Sequence, residues 1–320
     1  MDVTVIIPTF NRLWSLPKAV ESCRRTDCQT EIIVIDDGST DGTWEWLAEQ
    51  TDVLALRQNN WGKDWAVNSG IARAKGEFVR FLDSDDWLFE GAIDSQFALA
   101  RQEEADLVVG GYELYDEDEG LVRKSPWVYC DDFIAQQLGE CESSHYSAYL
   151  FRRSFIAGIP HRQEFGVRDD RMFVIEVALA HPKVAVTTVP TFGHRQHSNS
   201  RLQFPHGMRA VVTNYQHLQI YRKALGQLQE RGDLTARRKA AATKILWPLA
   251  HWIAYTHRSE ACEVADWIFE LDPNFQIPNP GILGELYRRI GFRWTEYLLS
   301  FRRALLRFVG ISLTLFVPAV

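Results

Sequence analysis

Apolar residues recur with two different periods over the first 110 residues of the chain. Short runs rich in β-branched residues predict strands at Val3–Pro8, Ile32–Ile35, Val53–Leu56 and Phe78–Leu82. Between these runs the pattern is helical, as it is over Ala66–Ala74. Strands that alternate with helices through short polar turns predict a right-handed, doubly wound and mostly parallel sheet. The fold class is therefore predicted as α/β and Rossmann-like.

The pattern changes along the rest of the chain. A helix is predicted at about 90–103, a strand at Leu107–Val109 and a further helix at about 169–180. Beyond these elements the pattern becomes almost wholly helical. We therefore predict an α/β domain over residues 1–205, followed by a helical C-terminal region over residues 206–320.

A basic amphipathic segment is predicted over about 288–320. Residues 288–307 hold six arginines and one glutamate, and residues 309–317 are mostly apolar. Such a helix can lie in the surface of an anionic membrane, and packing against its own domain or a dimer partner is the alternative. On a helical wheel one face carries Trp294, Tyr297, Leu298, Phe301, Leu305 and Phe308.

Charge is unevenly distributed along the 320 residues, whose net charge is −7. Residues 1–200 hold 19 Lys and Arg against 33 Asp and Glu, whereas residues 201–320 hold 16 against 9. An acidic first part cannot neutralise phosphates in bulk, which argues against nucleic acid as the main partner.

Cysteine usage and the N-terminal sequence bear on the cellular compartment. The five cysteines include no C-x-x-C pair, so a disulfide framework or a structural zinc site is not expected. The chain begins on a strand-like run without the features of a secretory signal, and no apolar stretch reaches the length of a spanning helix. These features predict a cytoplasmic protein, with the basic segment as the basis for peripheral attachment to the membrane.

Three carboxylates follow directly after the fourth predicted strand. Asp83, Asp85 and Asp86 repel one another, so burying them requires a cation or strong hydrogen-bond donors. Oxygen ligands in a cluster suit Mg²⁺ or Mn²⁺, which can in turn hold a diphosphate. The alternative is a solvated loop that caps a helix near Trp87.

Polar runs also follow the first three strands, at the edge where a parallel sheet presents its chemistry. Phe10 can stack on a base, Asp37 can accept from a base or a ribose hydroxyl, and Lys63 can face a phosphate. A turn with a helix cap explains Ser39 and Gly42 but leaves two adjacent aspartates unexplained. The three runs are Pro8–Arg12, Asp36–Gly42 and Asn59–Lys63.

Three of these segments, residues 5–12, 33–43 and 76–87, together resemble the family 2 glycosyltransferases of the GT-A fold. The resemblance is dense over residues 3–115 and looser to about 200. It implies a GT-A α/β fold and an inverting transfer from a nucleotide-diphosphate sugar, with a UDP-sugar as the first candidate. It also implies Mn²⁺ or Mg²⁺ as the cofactor and a glycan or lipid-linked acceptor, as in bacterial surface polysaccharide or glycolipid synthesis.

The resemblance assigns roles by position. Thr9 and Asp37 would contact the nucleoside, and Asp83 would contact ribose or the donor sugar. Asp85 and Asp86 would hold the metal ion on the diphosphate. The full set expected to bind the nucleotide sugar is Pro8, Thr9, Phe10, Arg12, Asp37, Asn60, Lys63, Asp83 and Ser84.

The catalytic base of this family usually belongs to a Glu-Asp pair at a helix start. The equivalent here is Asp169-Asp170, so Asp170 is the expected base and Asp169 replaces the usual glutamate. The alternative is an acidic helix N-terminus that favours the macrodipole without catalytic work. A later His-x-x-Ser element matches His197 to Ser200, where His197 would touch the metal or the diphosphate, or would be a structural histidine.

One departure from the family pattern leaves alternatives open. Many members carry Ala-Arg-Asn where this chain has Ala-Val-Asn at 66–68, so Lys63 or Arg73 must replace the arginine, or the donor differs. A catalytically degenerate binding or scaffold subunit is therefore one alternative. A sugar nucleotidyltransferase is a weaker one, since no Gly-rich loop follows Ile7. The Gln-x-x-Arg-Trp motif of processive members is incomplete before Trp294, which favours addition of a single sugar.

Overall fold

The structure, a computed structural model, describes residues 1–198 and 208–308. The predicted apolar segment 309–317 and the Ser200 position lie outside the described residues. Within them the chain forms nine strands, and the four strands predicted first appear within two residues of their expected bounds. The strands are β1 (Val3–Thr9), β2 (Thr30–Asp36), β3 (Val53–Arg57), β4 (Phe78–Phe81), β5 (Trp87–Leu88), β6 (Leu107–Tyr115), β7 (Leu121–Ser125), β8 (Leu150–Arg152) and β9 (Val184–Arg195).

The strands form one sheet in the order β3-β2-β1-β4-β8-β6-β9-β5, with β7 paired to β6. The first four run parallel, as do β6 and β9, which confirms the predicted α/β class. β8, β5 and β7 pair antiparallel with their neighbours. All seven residues of β1 are buried, as expected of a central parallel strand covered on both faces.

Helices cover the sheet and continue into the helical region. The predicted helix at about 169–180 is confirmed as α7. The helices are α1 (Leu16–Cys23), α2 (Thr43–Ala48), α3 (Lys63–Ile71), α4 (Ala92–Gln102), α5 (Phe133–Leu138), α6 (Arg153–Ile156), α7 (Asp169–Leu179), α8 (Met208–Glu230), α9 (Ala236–Ala254), α10 (Arg258–Leu271) and α11 (Gly281–Phe308).

Two hydrophobic cores meet at α7. Phe173 and Val177 pack into the core around the sheet, whereas Met172 and Ile175 pack into the core of the helical region. Leu138 of α5 also belongs to the helical core. The start of α7 is thus fixed by packing on both sides, and the helical region shares its core with the α/β part.

A close approach between α3 and the sheet sets the position of Lys63. A Cβ on Gly70 would lie 2.6 Å from Ile6 Cγ2 and 2.9 Å from Ile35 Cδ1, so only glycine lets the helix pack this closely. Because α3 begins at Lys63, this contact places the lysine beside the end of β4.

The last helix carries its polar side inward. After a kink at Gly291, the carboxylate of Glu296 is buried and accepts hydrogen bonds from Tyr287 Oη and His251 Nδ1 and from Arg303 Nη2 at 3.1 Å. Among the described residues, no helix combines the length and apolar character that crossing a membrane would require. The opposite face of α11 is exposed and carries Trp294, Tyr297, Leu298, Phe301 and Leu305.

Candidate active site

The carboxylate cluster, which we define as Asp83, Asp85 and Asp86, lies just beyond β4, and each member has its own cationic or hydrogen-bond-donating neighbour. Lys63 Nζ lies 2.6 Å from Asp83 Oδ1. His194 Nδ1 donates to Asp86 Oδ2 at 3.0 Å. The third carboxylate, that of Asp85, accepts from His197 Nε2 at 2.9 Å and lies 3.7 Å from Arg12 Nε. Cations and hydrogen-bond donors from three parts of the chain therefore offset the repulsion within the cluster.

Burial and charge act in opposite directions within the cluster. Burial raises the pKa of the Asp83 carboxyl, but the Lys63 ammonium outweighs it and the pKa falls below its usual range. Burial raises the pKa of the Asp86 carboxyl above its usual range, although His194 opposes the shift. The Lys63 pKa is raised because Asp83 and Asp170 outweigh the effect of burial. Asp83 and Lys63 therefore form a fully charged pair inside the site.

Asp83, Asp86 and His145 form a group that fits a metal ion, with ligand atoms that all lie within 4.8 Å of one another. Burial, followed by the nearby His194, lowers the pKa of His145 to about 3, so its imidazole is neutral and can act as a ligand. Two carboxylates and one imidazole suit Mn²⁺ and, less ideally, Mg²⁺. This group shares Asp86 with the predicted metal set.

The other two predicted metal ligands bond to each other. His197 donates from Nε2 to Asp85, its ring packs edge-on against Trp14, and its Nδ1 is buried with no hydrogen-bond partner among the described residues. Asp85 and His197 thus flank the three-residue group, and their assignment as ligands stays a prediction.

Asp37 shapes the loop that leads into α3. Its carboxylate accepts hydrogen bonds from Gln58 Nε2 and Trp61 N, both at 2.7 Å, and from Gly62 N at 3.0 Å. Its own backbone N–H donates to the carbonyl oxygen of Thr9 at 2.8 Å. The ends of β1 and β2 are therefore tied to the start of α3, and this network places Lys63.

The other residues predicted to bind the nucleotide sugar surround this loop. Thr9 Oγ1 is buried without a hydrogen-bond partner among the described residues, and Pro8 is buried in β1. Phe10 and Asn60 are exposed at the rim. Buried Ser84 accepts a hydrogen bond at its carbonyl from Ser15 Oγ. The exposed ring of Phe10 is available to a ligand, whereas Thr9 is buried.

The two aspartates at the start of α7 have different surroundings. Asp169 is buried, and its Oδ2 accepts from His161 Nδ1 at 2.6 Å. With that nitrogen protonated, a neutral His161 accepts at Nε2 from the Tyr146 hydroxyl at 2.7 Å. Asn68 fixes the His161 backbone through two hydrogen bonds. Asp169 therefore belongs to an internal network.

Asp170 instead lines a cavity of about 390 Å³, which we call the Asp170 cavity. Burial raises the pKa of the Asp170 carboxyl, and the nearby Lys63 opposes the shift. The Asp170 cavity reaches the metal-fitting group through His145, which belongs to both. Its remaining lining residues are Gln137, Ser144, Tyr146, Val167, Arg168, Arg171, Val174 and Thr213.

Lys63 and Arg73 were the two candidates to replace the arginine of the family pattern, and the structure shows where each lies. It also brings residues to the site that the sequence analysis did not suggest. Lys63 lies in the site, whereas Arg73 is exposed just beyond the end of α3, which favours Lys63 over Arg73. That Lys63 replaces the arginine of the family pattern stays a prediction, as does a different donor. His145, His161 and His194 were not among the predicted site residues. His194 lies three residues before His197, which the sequence analysis had singled out.

Comparison with known proteins gives a consistent result. Residues 4–157 match the family model described as glycosyl transferase family 2. Glycosyltransferase GlyG of Streptococcus pneumoniae is 36% identical over 124 residues, which cover 37% of this chain and 41% of that protein. Putative glycosyltransferase EpsH of Bacillus subtilis is 28% identical over 274 residues, covering 76% and 74%. The chain thus spans well under half of the first relative and about three quarters of the second.

A further relative has a more specific name. The GalNAc(5)-diNAcBac-PP-undecaprenol beta-1,3-glucosyltransferase of Campylobacter jejuni is 40% identical over 107 residues, covering 31% of this chain and 35% of that protein. The match lies within about a third of each protein.

Solved structures share the fold. TarS 1–349 of S. aureus in complex with UDP-GlcNAc has a TM-score of 0.56 at 15% identity, covering 95% of this chain and 92% of that one. The mannosyltransferase PcManGT of Pyrobaculum calidifontis, in complex with GDP-Man and Mn²⁺, has a TM-score of 0.54 at 15% identity, covering 97% and 81%. The sheet is therefore that of a GT-A fold, and residues 4–157 form a glycosyl transferase family 2 domain.

Proposed function

We propose that this protein is an inverting glycosyltransferase that moves one sugar from a nucleotide-diphosphate sugar to a hydroxyl of a glycan or lipid-linked acceptor. The observation that carries the proposal is the position of Lys63, which lies 2.6 Å from Asp83 of the carboxylate cluster and also interacts with Asp170. The bound UDP-GlcNAc and GDP-Man of the structural neighbours support a nucleotide-sugar donor, with a UDP-sugar as the first candidate. The lipid diphosphate in the name of the Campylobacter relative supports a lipid-linked acceptor.

The donor side of the reaction uses the carboxylate cluster. Asp83, Asp86 and His145 would hold Mn²⁺ or Mg²⁺, which neutralises charge on the departing diphosphate when bound. Lys63 lies against Asp83 at the start of α3, where its ammonium and the positive end of the helix dipole both favour an anion. Phe10 and Thr9 lie at the end of β1, where the nucleoside is proposed to bind.

The acceptor side uses Asp170. Its carboxylate removes the proton of the acceptor hydroxyl as that oxygen bonds to the anomeric carbon, and the bond from that carbon to the diphosphate oxygen breaks. Attack from the side opposite the leaving group inverts the configuration. Asp169, held by His161 and Tyr146, acts as a positioning residue that fixes the start of α7.

The test begins with a screen of nucleotide diphosphates and sugar nucleotides by thermal shift, with and without Mn²⁺. We expect at least one nucleotide to raise the melting temperature in a Mn²⁺-dependent way, and the matching sugar nucleotide to be turned over by transfer or slow hydrolysis. If no nucleotide stabilises the protein, the proposal is wrong.

The alternative is a degenerate sugar-nucleotide-binding subunit, which is suggested by Val67 in place of the usual arginine. Val67 is uncharged and fully buried, so position 67 supplies no cation to the donor. Donor binding without any transfer or hydrolysis would favour this alternative over the enzyme.

We also propose that the exposed face of α11 docks on an anionic membrane surface. Trp294, Phe301 and Leu305 each expose more than half of their surface, although they belong to a helix whose polar side is buried. Exposed Arg293 and Arg302 lie on the same helix, and its carboxylate Glu296 is buried. Aromatic and arginine side chains together match the boundary between acyl chains and anionic headgroups.

The sequence around this face supports a membrane over a second copy of the chain. Two copies would bring arginine-rich helices together, which is unfavourable, whereas an anionic lipid surface neutralises them. Residues 309–320, which follow the helix, contain no charged side chain. The five cysteines are free, which suits a reducing compartment, so we propose the cytoplasmic leaflet.

Vesicle co-sedimentation tests the docking. We expect binding to vesicles with phosphatidylglycerol, weaker binding to pure phosphatidylcholine, and a loss of about tenfold or more when Trp294→Ser and Phe301→Ser are combined. Tyr129→Ser, at an exposed tyrosine far along the chain, is the control and should not change binding. A concentration-dependent dimer without vesicle binding would overturn the proposal.

A further inference from the structure

The Asp170 cavity contains more positive than negative charge. Its charged lining residues are Arg168, Arg171 and Asp170. Two guanidinium groups therefore face one carboxylate. That carboxylate also interacts with Lys63 on its other side, so it is only partly available to the arginines.

Among the described residues, neither guanidinium group forms an ion pair within 4 Å. Arg171 Nη1 donates to Gln137 Oε1 at 3.0 Å and to Ser143 Oγ at 3.2 Å, and Nη2 donates to the Gln137 carbonyl. The Nε of Arg168 is buried and has no hydrogen-bond partner in the described part of the chain. A guanidinium group whose buried N–H lacks a partner is costly, and an anion stabilises it.

The pKa of the neighbouring His217 is consistent with the same positive potential. Burial, followed by the charges of Arg168 and Arg171, lowers the pKa of His217 on α8 to about 3. His217 therefore stays neutral and adds no positive charge of its own. The pKa of Arg168 is lowered as well, mainly by burial, while Asp170 opposes that shift.

We propose that the Asp170 cavity binds an anionic group of the acceptor, a phosphate or a carboxylate, with Arg168 as the main contact. This inference rests on the proposed transferase function, in which Asp170 activates the acceptor hydroxyl. A guanidinium binds carboxylate and phosphate through paired, charge-assisted hydrogen bonds. Arg168 lies two residues before Asp170, so an anion held there places the acceptor hydroxyl near the base.

The cavity size fits this role. A volume of about 390 Å³ lies within the range of small-molecule sites and accommodates one sugar or polyol unit with its charged group. The acceptor is therefore defined by two features: a hydroxyl that reaches Asp170, and a negative charge that reaches Arg168.

The experiment compares neutral and charged probes of matched shape. Glycerol is paired with glycerol 1-phosphate, and methyl β-glucoside with methyl β-glucuronide, with the stabilising nucleotide diphosphate and Mg²⁺ present. Dissociation constants are measured by ligand-observed NMR. We expect at least one anionic probe to bind about tenfold tighter than its neutral partner, and the two pairs distinguish phosphate from carboxylate.

Variants assign the preference to Arg168. Arg168→Gln should abolish the difference between charged and neutral probes, and Arg168→Lys should retain part of it. Arg25→Gln, at an exposed arginine after α1 and on the opposite edge of the sheet, should leave it intact. Equal binding of charged and neutral probes by the wild type would overturn the inference without reference to any variant.

Nucleotide binding distinguishes a failure of this inference from a failure of the proposed transferase function. Arg168→Gln should leave the affinity for the nucleotide diphosphate unchanged; a matching loss would mean that this arginine serves the donor, and the inference would be wrong. Failure of the wild type to bind any nucleotide diphosphate would instead contradict the proposed function itself.

Discussion

The carboxylate cluster and the Asp170 cavity lie side by side but balance charge in opposite ways. Each carboxylate of the cluster has a cation or a hydrogen-bond donor from the chain itself, from Lys63, His194, or His197 with Arg12. In the cavity, neither guanidinium group forms an ion pair with a carboxylate of the described residues. Internal cations can be exchanged for a metal ion at little electrostatic cost, whereas unbalanced guanidinium groups require an anion from outside. The difference predicts a metal and diphosphate on one side and an anionic acceptor on the other.

The largest effect is expected from the metal-fitting group. Asp86→Asn removes a charge from that group and should lower transfer or donor hydrolysis by at least about 10²-fold, with loss of Mn²⁺ binding measured by calorimetry. Asp85→Asn should be milder, because Asp85 bonds His197 outside the group. Asp266→Asn, on an exposed part of α10, is the control. If Asp85→Asn abolishes Mn²⁺ binding and Asp86→Asn does not, the predicted ligands Asp85 and His197 hold the ion.

A smaller loss is expected at the positioning residue. Asp169→Ala leaves His161 Nδ1 unpaired in a buried site, which should destabilise the protein by about 1–3 kcal/mol in denaturant unfolding. We expect kcat to fall about tenfold while KM for the donor changes little, since Asp170 remains in place. Asp266→Ala provides the matched control. A loss of kcat as large as that from removing Asp170 would make Asp169 a catalytic residue.

The pH profile of kcat/KM should show the electrostatic effect of Lys63 on Asp170. Burial raises the pKa of Asp170, so the acid limb of kcat/KM should lie above the usual range of an aspartate. Activity rises with pH through this limb because the base must be deprotonated. Lys63 opposes the shift, so Lys63→Met should move the limb to higher pH. A limb that stays in place or moves to lower pH would show that Lys63 does not act on the base.

The smallest effect concerns the exposed face of α11. Trp294→Ser combined with Phe301→Ser should change the free energy of unfolding by no more than about 0.5 kcal/mol per site, because both side chains are exposed. Chemical denaturation checks this. A large loss of stability would mean that the face packs against the protein, and the membrane proposal would lose its basis.

The sequence predicted the part of the site that is built from strand ends. Consecutive parallel strands deliver their carboxyl ends to one edge, so Asp37 and Asp83 were expected to lie near each other from the strand pattern alone. The family resemblance and the helical pattern at about 169–180, rather than the strand ends, placed Asp170 at a helix start.

The rest of the site depends on contacts between residues far apart in the chain, which the hydrophobic pattern of the sequence does not predict. His194 reaches Asp86 across 108 residues because β9 pairs with β5 and β6. His145 reaches the cluster from the turn before β8. Only the position of α3 in the fold shows that Lys63, and not Arg73, lies in the site. Only the hydrogen bonds of Glu296 show that the polar side of α11 faces inward. Such contacts between distant segments are set by tertiary packing rather than by local pattern.

The most direct test of the central claim is donor hydrolysis by Asp170→Asn, with water in place of the acceptor. Hydrolysis needs no knowledge of the acceptor, and calorimetry gives the donor affinity of the same variant. We predict that turnover falls by about 10²–10⁴-fold while the dissociation constant of the donor stays within about threefold of the wild type. Unchanged hydrolysis by a folded Asp170→Asn variant would contradict the account.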